Sequence, residues 1–232
     1  MSNSPASPDP RPAPGPVRAV LFDHDGVLVD SEPLHRIAWE RTFGPRGIRV
    51  SEEDYEWSIG RRDLIFAGVI IRKHNLRDTP EAVIADKRKH MLRMMAEESK
   101  TFDGVPELVR RLAGEYRLGV VSSAMRPEVN ITLKRFGFEE MFQAVVSCED
   151  TTEHKPDPEP YRLCAARLSV PPEACVAIED SASGIESARA AGACVIAVAT
   201  TLPREKLAAA DVIIDDLSDT GRILQLIRTR AA

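Results

Sequence analysis

Short apolar runs at about 18–22, 117–122, 143–147, 174–178, 193–198 and 211–214 are separated, over most of the chain, by stretches whose apolar residues recur at helical spacing. No other feature constrains the fold as much. A strand whose chain returns through a helix to a parallel neighbour is a βαβ unit, and repeated units build one parallel sheet covered by helices. Segments 105–116, 127–137, 157–169 and 181–192 supply such helices, and the second and fourth end in Gly, a common C-cap. LSDTGRILQLIR closes the pattern as a last helix. The expected class is α/β, with a Rossmann-like three-layer core around a parallel sheet.

One interval breaks the rhythm. From Asp30 to Thr101 only helical patterns occur: SEPLHRIAWERTFG, SEEDYEWS with a serine cap, RRDLIFAGVIIRKHN, and TPEAVIADKRKHMLRMMAEESK. The expected organisation is a Pro-rich disordered tail over 1–16, a core domain of 17–29 and 102–232, and an inserted all-helical domain over 30–101.

The first apolar run leads directly into chemistry. Residues 19–30 read AVLFDHDGVLVD, mounting Asp23 and Asp25 at the C-terminal end of a buried strand. Alternate residues of an extended chain point the same way, so the two carboxylates share a pocket, while His24 faces away in a packing role. Gly26 allows a sharp turn with no side chain above them. One carboxylate can attack as a nucleophile, the other can move a proton, and both can help to hold a hard cation. Polar groups follow further along the chain in order: Ser122 and Ser123 at the strand end of RLGVVSSA, Lys155 before the proline-rich turn of EHKPDPEPY, and Glu179 and Asp180 at the strand end of CVAIEDSASG.

With these four motifs in this order, residues 17–230 resemble the haloacid dehalogenase (HAD) superfamily of phosphotransferases. The resemblance implies that the strand of Asp23 is central in the sheet, flanked by those of Ser122 and of Glu179–Asp180. It implies Asp23 as nucleophile, forming an aspartyl-phosphate, and Asp25 as the acid and base. Asp25 also favours phosphate chemistry over dehalogenation. Ser122 would donate to a phosphate oxygen, with Ser123 as a structural or backbone-amide partner, and Lys155 would offset charge on the phosphate and Asp23. Mg2+ is the implied cofactor, held by Asp23, Asp180, Glu179 and the backbone carbonyl of Asp25.

The helical insertion resembles a C1-type cap, with hinges near 28–32 and 99–104. In it His35 would couple closure to Asp25, while Arg61, Arg62, Lys87, Arg88 and Lys89 are candidates for substrate contact. The stretch KRKH at 87–90 matches the β-phosphoglucomutase-like branch, with Lys89 at the contacting position, whereas GRRD at 60–63 departs from that branch's G-x-S-R. The leading expectation is a magnesium-dependent phosphatase acting on a small phosphorylated metabolite, a sugar phosphate or related monoester. An intramolecular phosphomutase is the alternative, and a catalytically silent binding module the third reading.

Composition excludes other classes. A net charge of -5 argues against a dedicated nucleic-acid binder. No stretch approaches the ~20 apolar residues of a membrane span, and residues 1–16 lack the apolar core of a secretory signal. Cys148, Cys164, Cys175 and Cys194 show no C-x-x-C spacing and read as reduced thiols. A cytoplasmic monomer or weak homo-oligomer is the expectation.

Overall fold

The structure, a computed structural model, describes residues 15–58 and 63–229. The expected tail therefore lies, apart from residues 15 and 16, outside the described residues, as do Arg61 and Arg62. Six strands form one parallel sheet: β1 (Ala19–Phe22), β2 (Arg117–Val121), β3 (Ala144–Val146), β4 (Cys175–Glu179), β5 (Cys194–Val198) and β6 (Val212–Ile214), in the order β3-β2-β1-β4-β5-β6. The strand bearing Asp23 is flanked by β2 and β4, and the order reverses at β1. Ligands of open α/β sheets bind outside the carboxyl ends of the strands at such a point.

Period-two alternation builds the two faces of the sheet. Val20, Phe22, Leu118, Val120, Val176 and Ile178 enter one apolar cluster with α5 (Val105–Ala113), α6 (Arg126–Phe136) and α9 (Thr220–Thr229). Ala19, Leu21, Val121, Cys175 and Ala177 enter the other, with α7 (Glu159–Arg167) and α8 (Ala182–Ala191). A strand buried on both faces reads as a continuous apolar run, which is why these strands were legible. The three layers are helices, sheet and helices. The four cysteines are thiols outside any disulfide, three of them buried.

Between Glu32 and Glu97 the elements among the described residues are all helical: α1 (Glu32–Phe43), a short 3-10 turn at Gly44–Arg46, α2 (Glu52–Ser58), α3 (Asp63–Lys73) and α4 (Pro80–Glu97). Ser51 Oγ accepts from the Asp54 amide to start α2, and Thr79 Oγ1 accepts from the Ala82 amide to start α4. These helices bury a cluster of their own, with Trp39 stacked on Phe43 at 5.4 Å and edge-on to Phe66 at 4.9 Å. They also join the core: Leu34, Ala38, Met91, Met94 and Met95 belong to the same cluster as the sheet. Arg135 on α6 ties α4 down by donating to the Ala96 and Ser99 carbonyls at 2.7 and 3.0 Å. The two crossings between core and helical segment are bonded to each other, Asp30 amide to Lys100 carbonyl, at 3.0 Å. Among the described residues no helix is long and apolar enough to cross a membrane.

Candidate active site

Register brings three strand ends together. Phe22 lies opposite Val120 of β2 and Ile178 of β4, so the residues that follow these strands converge. Above them a cavity of about 490 Å³ runs up to the helical segment, lined by Asp23, Asp25, Lys155 and Asp180 below and by His35 and Lys87 above.

Asp23 is buried, and its Oδ1 accepts from the His24 amide at 2.8 Å and from Lys155 Nζ at 2.9 Å. Lys155 Nζ also donates to Glu179 Oε1 at 2.7 Å and the Val121 carbonyl at 3.0 Å, and lies 5.3 Å over the Tyr161 ring. The two carboxylates beside Lys155 push its pKa up despite burial, so it remains a cation.

Glu179 is fully buried, with both oxygens engaged. Oε1 accepts from Lys155 and, at 2.7 Å, from the Tyr161 hydroxyl. Oε2 accepts from the Asp180 and Ser181 amides and the Ser181 hydroxyl. Gly184 makes room for it, since a Cβ there would lie 1.8 Å from Oε1. Gly26 does the same for Asp180: its φ is +76° and a Cβ would lie 1.9 Å from Asp180 Oδ2.

Asp23, Glu179 and Asp180 bring carboxylate oxygens within 4.8 Å of one another, all buried. Burial, with the Glu179 charge next in weight, pushes Asp23 up to about 7. Burial and the Asp23 charge push Asp180 well above the usual carboxylate range. One ammonium against three carboxylates leaves negative charge to be met. An oxygen-only donor set of this kind suits a hard divalent cation. With Glu179 saturated by protein donors, Asp23 and Asp180 are the two carboxylates in a position to turn toward one.

Asp25 is held differently. Oδ1 accepts from the Ser31 hydroxyl at 2.6 Å, Oδ2 faces His24 Nδ1 at 3.1 Å, and His35 Nε2 lies 3.9 Å from Oδ1. Burial raises its pKa, but His24 and then His35 outweigh that and hold it well below the usual range. Ser31 precedes α1, yet its hydroxyl serves Asp25 rather than capping the helix.

The remaining expected residues divide. The two serines stand opposite to expectation: Ser122, expected at the phosphate, is buried and its Oγ accepts from the Ala124 amide at 2.9 Å, whereas Ser123, expected in a structural role, is exposed and lines the cavity. His35 lines it too, its Nδ1 2.8 Å from Lys87 Nζ. Lys89 corrects the expectation: its side chain points to solvent and pairs with Asp86 at 2.9 Å. Two residues along a helix turn the side chain through about 200°, so Lys87 faces inward instead. It is buried, donates to both Asp63 oxygens at 2.6 and 2.8 Å, and lies 4.5 Å over the Trp39 ring. Sequence reasoning missed Tyr161 and Thr132. Tyr161 carried a faint signal, an aromatic with a polar end inside the apolar stripe of a helix that follows the lysine motif. His24 does face away from the cavity, but with two polar partners.

A sequence model of the haloacid dehalogenase-like hydrolase family matches residues 20–198, and the chain belongs to that family. It is an enzyme of the hydrolase class. CbbY of Cereibacter sphaeroides is 31% identical over 226 residues, covering 90% of this chain and 96% of that protein. Fructose-1-phosphate phosphatase YqaB of Escherichia coli is 30% identical over 173 residues, covering 75% and 92%. The crystal structure of a CbbY mutant from Rhodobacter sphaeroides in complex with xylulose-(1,5)bisphosphate superposes with a TM-score of 0.76 at 30% identity, covering 88% of this chain and 96% of that one.

Proposed function

We propose that this chain is a magnesium-dependent phosphatase that hydrolyses a small phosphorylated metabolite, a sugar phosphate, through an aspartyl-phosphate on Asp23. The observation that carries the reading is the unequal treatment of two neighbouring carboxylates. Asp23 is paired with a buried ammonium at 2.9 Å, while Asp25 faces the same cavity in separate hydrogen bonds. Environments that push two carboxylates' pKa values apart assign them different chemical roles. The relatives named as phosphatases of phosphorylated sugars support the substrate class. A cavity of about 490 Å³ suits one such molecule.

In this reading Asp23 attacks phosphorus in line, and Lys155 offsets the charge that gathers on the carboxylate and phosphoryl oxygens. Ser123, at the cavity wall beside buried Ser122, orients the phosphoryl group. Asp25 gives a proton to the leaving alcohol and later takes one from the attacking water. Its low pKa in the present arrangement suits the second step, and the arriving phosphate dianion raises that pKa for the first. Mg2+ would be held by Asp23, Asp180 and the Asp25 backbone carbonyl, and would neutralise phosphoryl charge when bound. The helical segment, as a cap over 30–101, would present His35 and Lys87 to the leaving group.

The test is a panel of phosphorylated metabolites scored for free phosphate, with magnesium and with a chelator. Stoichiometric phosphate from a sugar phosphate, lost in chelator, is the expected result. Asp23→Asn is expected to cost at least about a thousandfold in kcat with the fold intact. Isomerisation without net phosphate release would replace this reading with the mutase. Neither product would leave a silent module.

A further inference from the structure

The residue between the two aspartates is not accounted for by the chemistry above. An apolar side chain would pack at position 24, yet the chain places a histidine there, fully buried, with both ring nitrogens in polar contact. Nδ1 lies 3.1 Å from Asp25 Oδ2, and Nε2 lies 2.6 Å from Thr132 Oγ1 on α6. The Thr132 hydroxyl lies closer to Nε2, at 2.6 Å, than to the Val129 carbonyl, at 2.9 Å, so its proton is assigned to Nε2 as the acceptor. The proton of the neutral ring then sits on Nδ1 and is donated to Asp25 Oδ2.

We propose that His24 is a positioning residue for Asp25: anchored on Thr132, its imidazole fixes Oδ2 from behind and leaves Oδ1 as the oxygen that exchanges a proton with the leaving alcohol. The proposal rests on the reading of Asp25 as acid and base. Orientation matters because a carboxylate free to rotate about its last torsion presents the wrong oxygen for part of the time. Small errors of aim at a reacting atom are costly. Oδ1 is the oxygen beside cavity-lining His35, whose Nε2 is 3.9 Å away, and it also accepts from the Ser31 hydroxyl at 2.6 Å, so His24 is the contact that grips the far oxygen.

Two substitutions separate positioning from packing. The amide of Asn reaches the place of the imidazole Nδ1, whereas the amide of Gln reaches the place of Nε2. His24→Asn therefore keeps a partner for Asp25, and His24→Gln keeps only the one for Thr132. Values of kcat/KM are to be measured on the sugar phosphate turned over fastest in the panel and on 4-nitrophenyl phosphate, whose leaving group needs no proton. A general acid contributes about 100- to 10,000-fold. His24→Gln is thus expected to lose about 10- to 100-fold on the sugar phosphate and several-fold less on the nitrophenyl ester. His24→Asn should recover most of that difference. Thr132→Val should show the same substrate pattern more weakly.

Equal losses for Asn and Gln, or equal losses on both esters, would return His24 to packing and overturn the proposal. Asp25→Asn is the control for the underlying reading. If it too loses equally on both esters, the acid and base role of Asp25 falls. If it discriminates and His24→Gln does not, only the proposal falls.

Discussion

Lys155 donates to Asp23 and Glu179 at once and lies over the Tyr161 ring, so removing its charge sets two buried carboxylates against each other. Breaking a buried ion pair from one side typically costs about 3–5 kcal/mol. Lys155→Met is therefore expected to lower stability by about that amount in chemical denaturation and to abolish turnover at any magnesium concentration. A variant as stable as the parent would show that the carboxylates are met in some other way. The same scale shows what motif order conveys and what it leaves out. It places Lys155 near Asp23, because both follow apolar strands that end on one side of the sheet. It does not show that Glu179 Oε1 is shared between Lys155 and Tyr161, because Tyr161 arrives from α7 and the partnership exists only once that helix is docked.

At the scale of the element, α4 sorts its basic residues by angle. The run KRKH offers three cations in a row, Lys87, Arg88 and Lys89, and sequence alone does not say which faces inward. Docking against α1 and α3 decides it, burying Lys87 against Trp39 and Asp63 and leaving Lys89 in solvent. Exposed pairs are worth about 0–1 kcal/mol, so Lys89→Ala is expected to leave the melting temperature and kcat unchanged. Lys87→Ala gives up its contacts with Trp39 and Asp63 and its grip on His35, at about 2 kcal/mol. It should also lower kcat. Loss of activity on Lys89→Ala, with Lys87→Ala unaffected, would restore the sequence-based assignment.

For the whole molecule, the carboxylate cluster links stability to pH and metal. Asp23 has its pKa raised to about 7 in the folded state, against a reference of 3.8. Asp180 is raised well above the same reference, and His24 is raised from 6.5, burial opposing and the Asp25 charge prevailing. In each case the folded state holds the proton to higher pH than the unfolded chain does. Stability then falls as pH rises through the window between the two pKa values. In chelator the melting temperature is expected to decline as pH rises from about 4 to about 7, and magnesium at the upper end should restore it by binding the folded state alone. A metal-free protein that becomes more stable over that range would contradict the cluster's charge.

The scaffold was legible in the chain because its information is local. Apolar runs of strand length, helical spacing between them, and Gly26 after the two aspartates specify which strands end in polar groups. They do so without reference to any distant residue. β1 lies between β2 and β4, as the family resemblance implied, and period-two alternation divides each strand between the two apolar clusters. What only the tertiary structure decided is who meets whom across long separations. His24 finds Thr132 across 108 positions, Lys155 finds Asp23 across 132, and Lys87 finds His35 across 52. Such pairings depend on helix phase and on how each helix docks, and a buried polar group takes whichever partner that docking supplies, because leaving it unpaired costs more than the bond itself contributes.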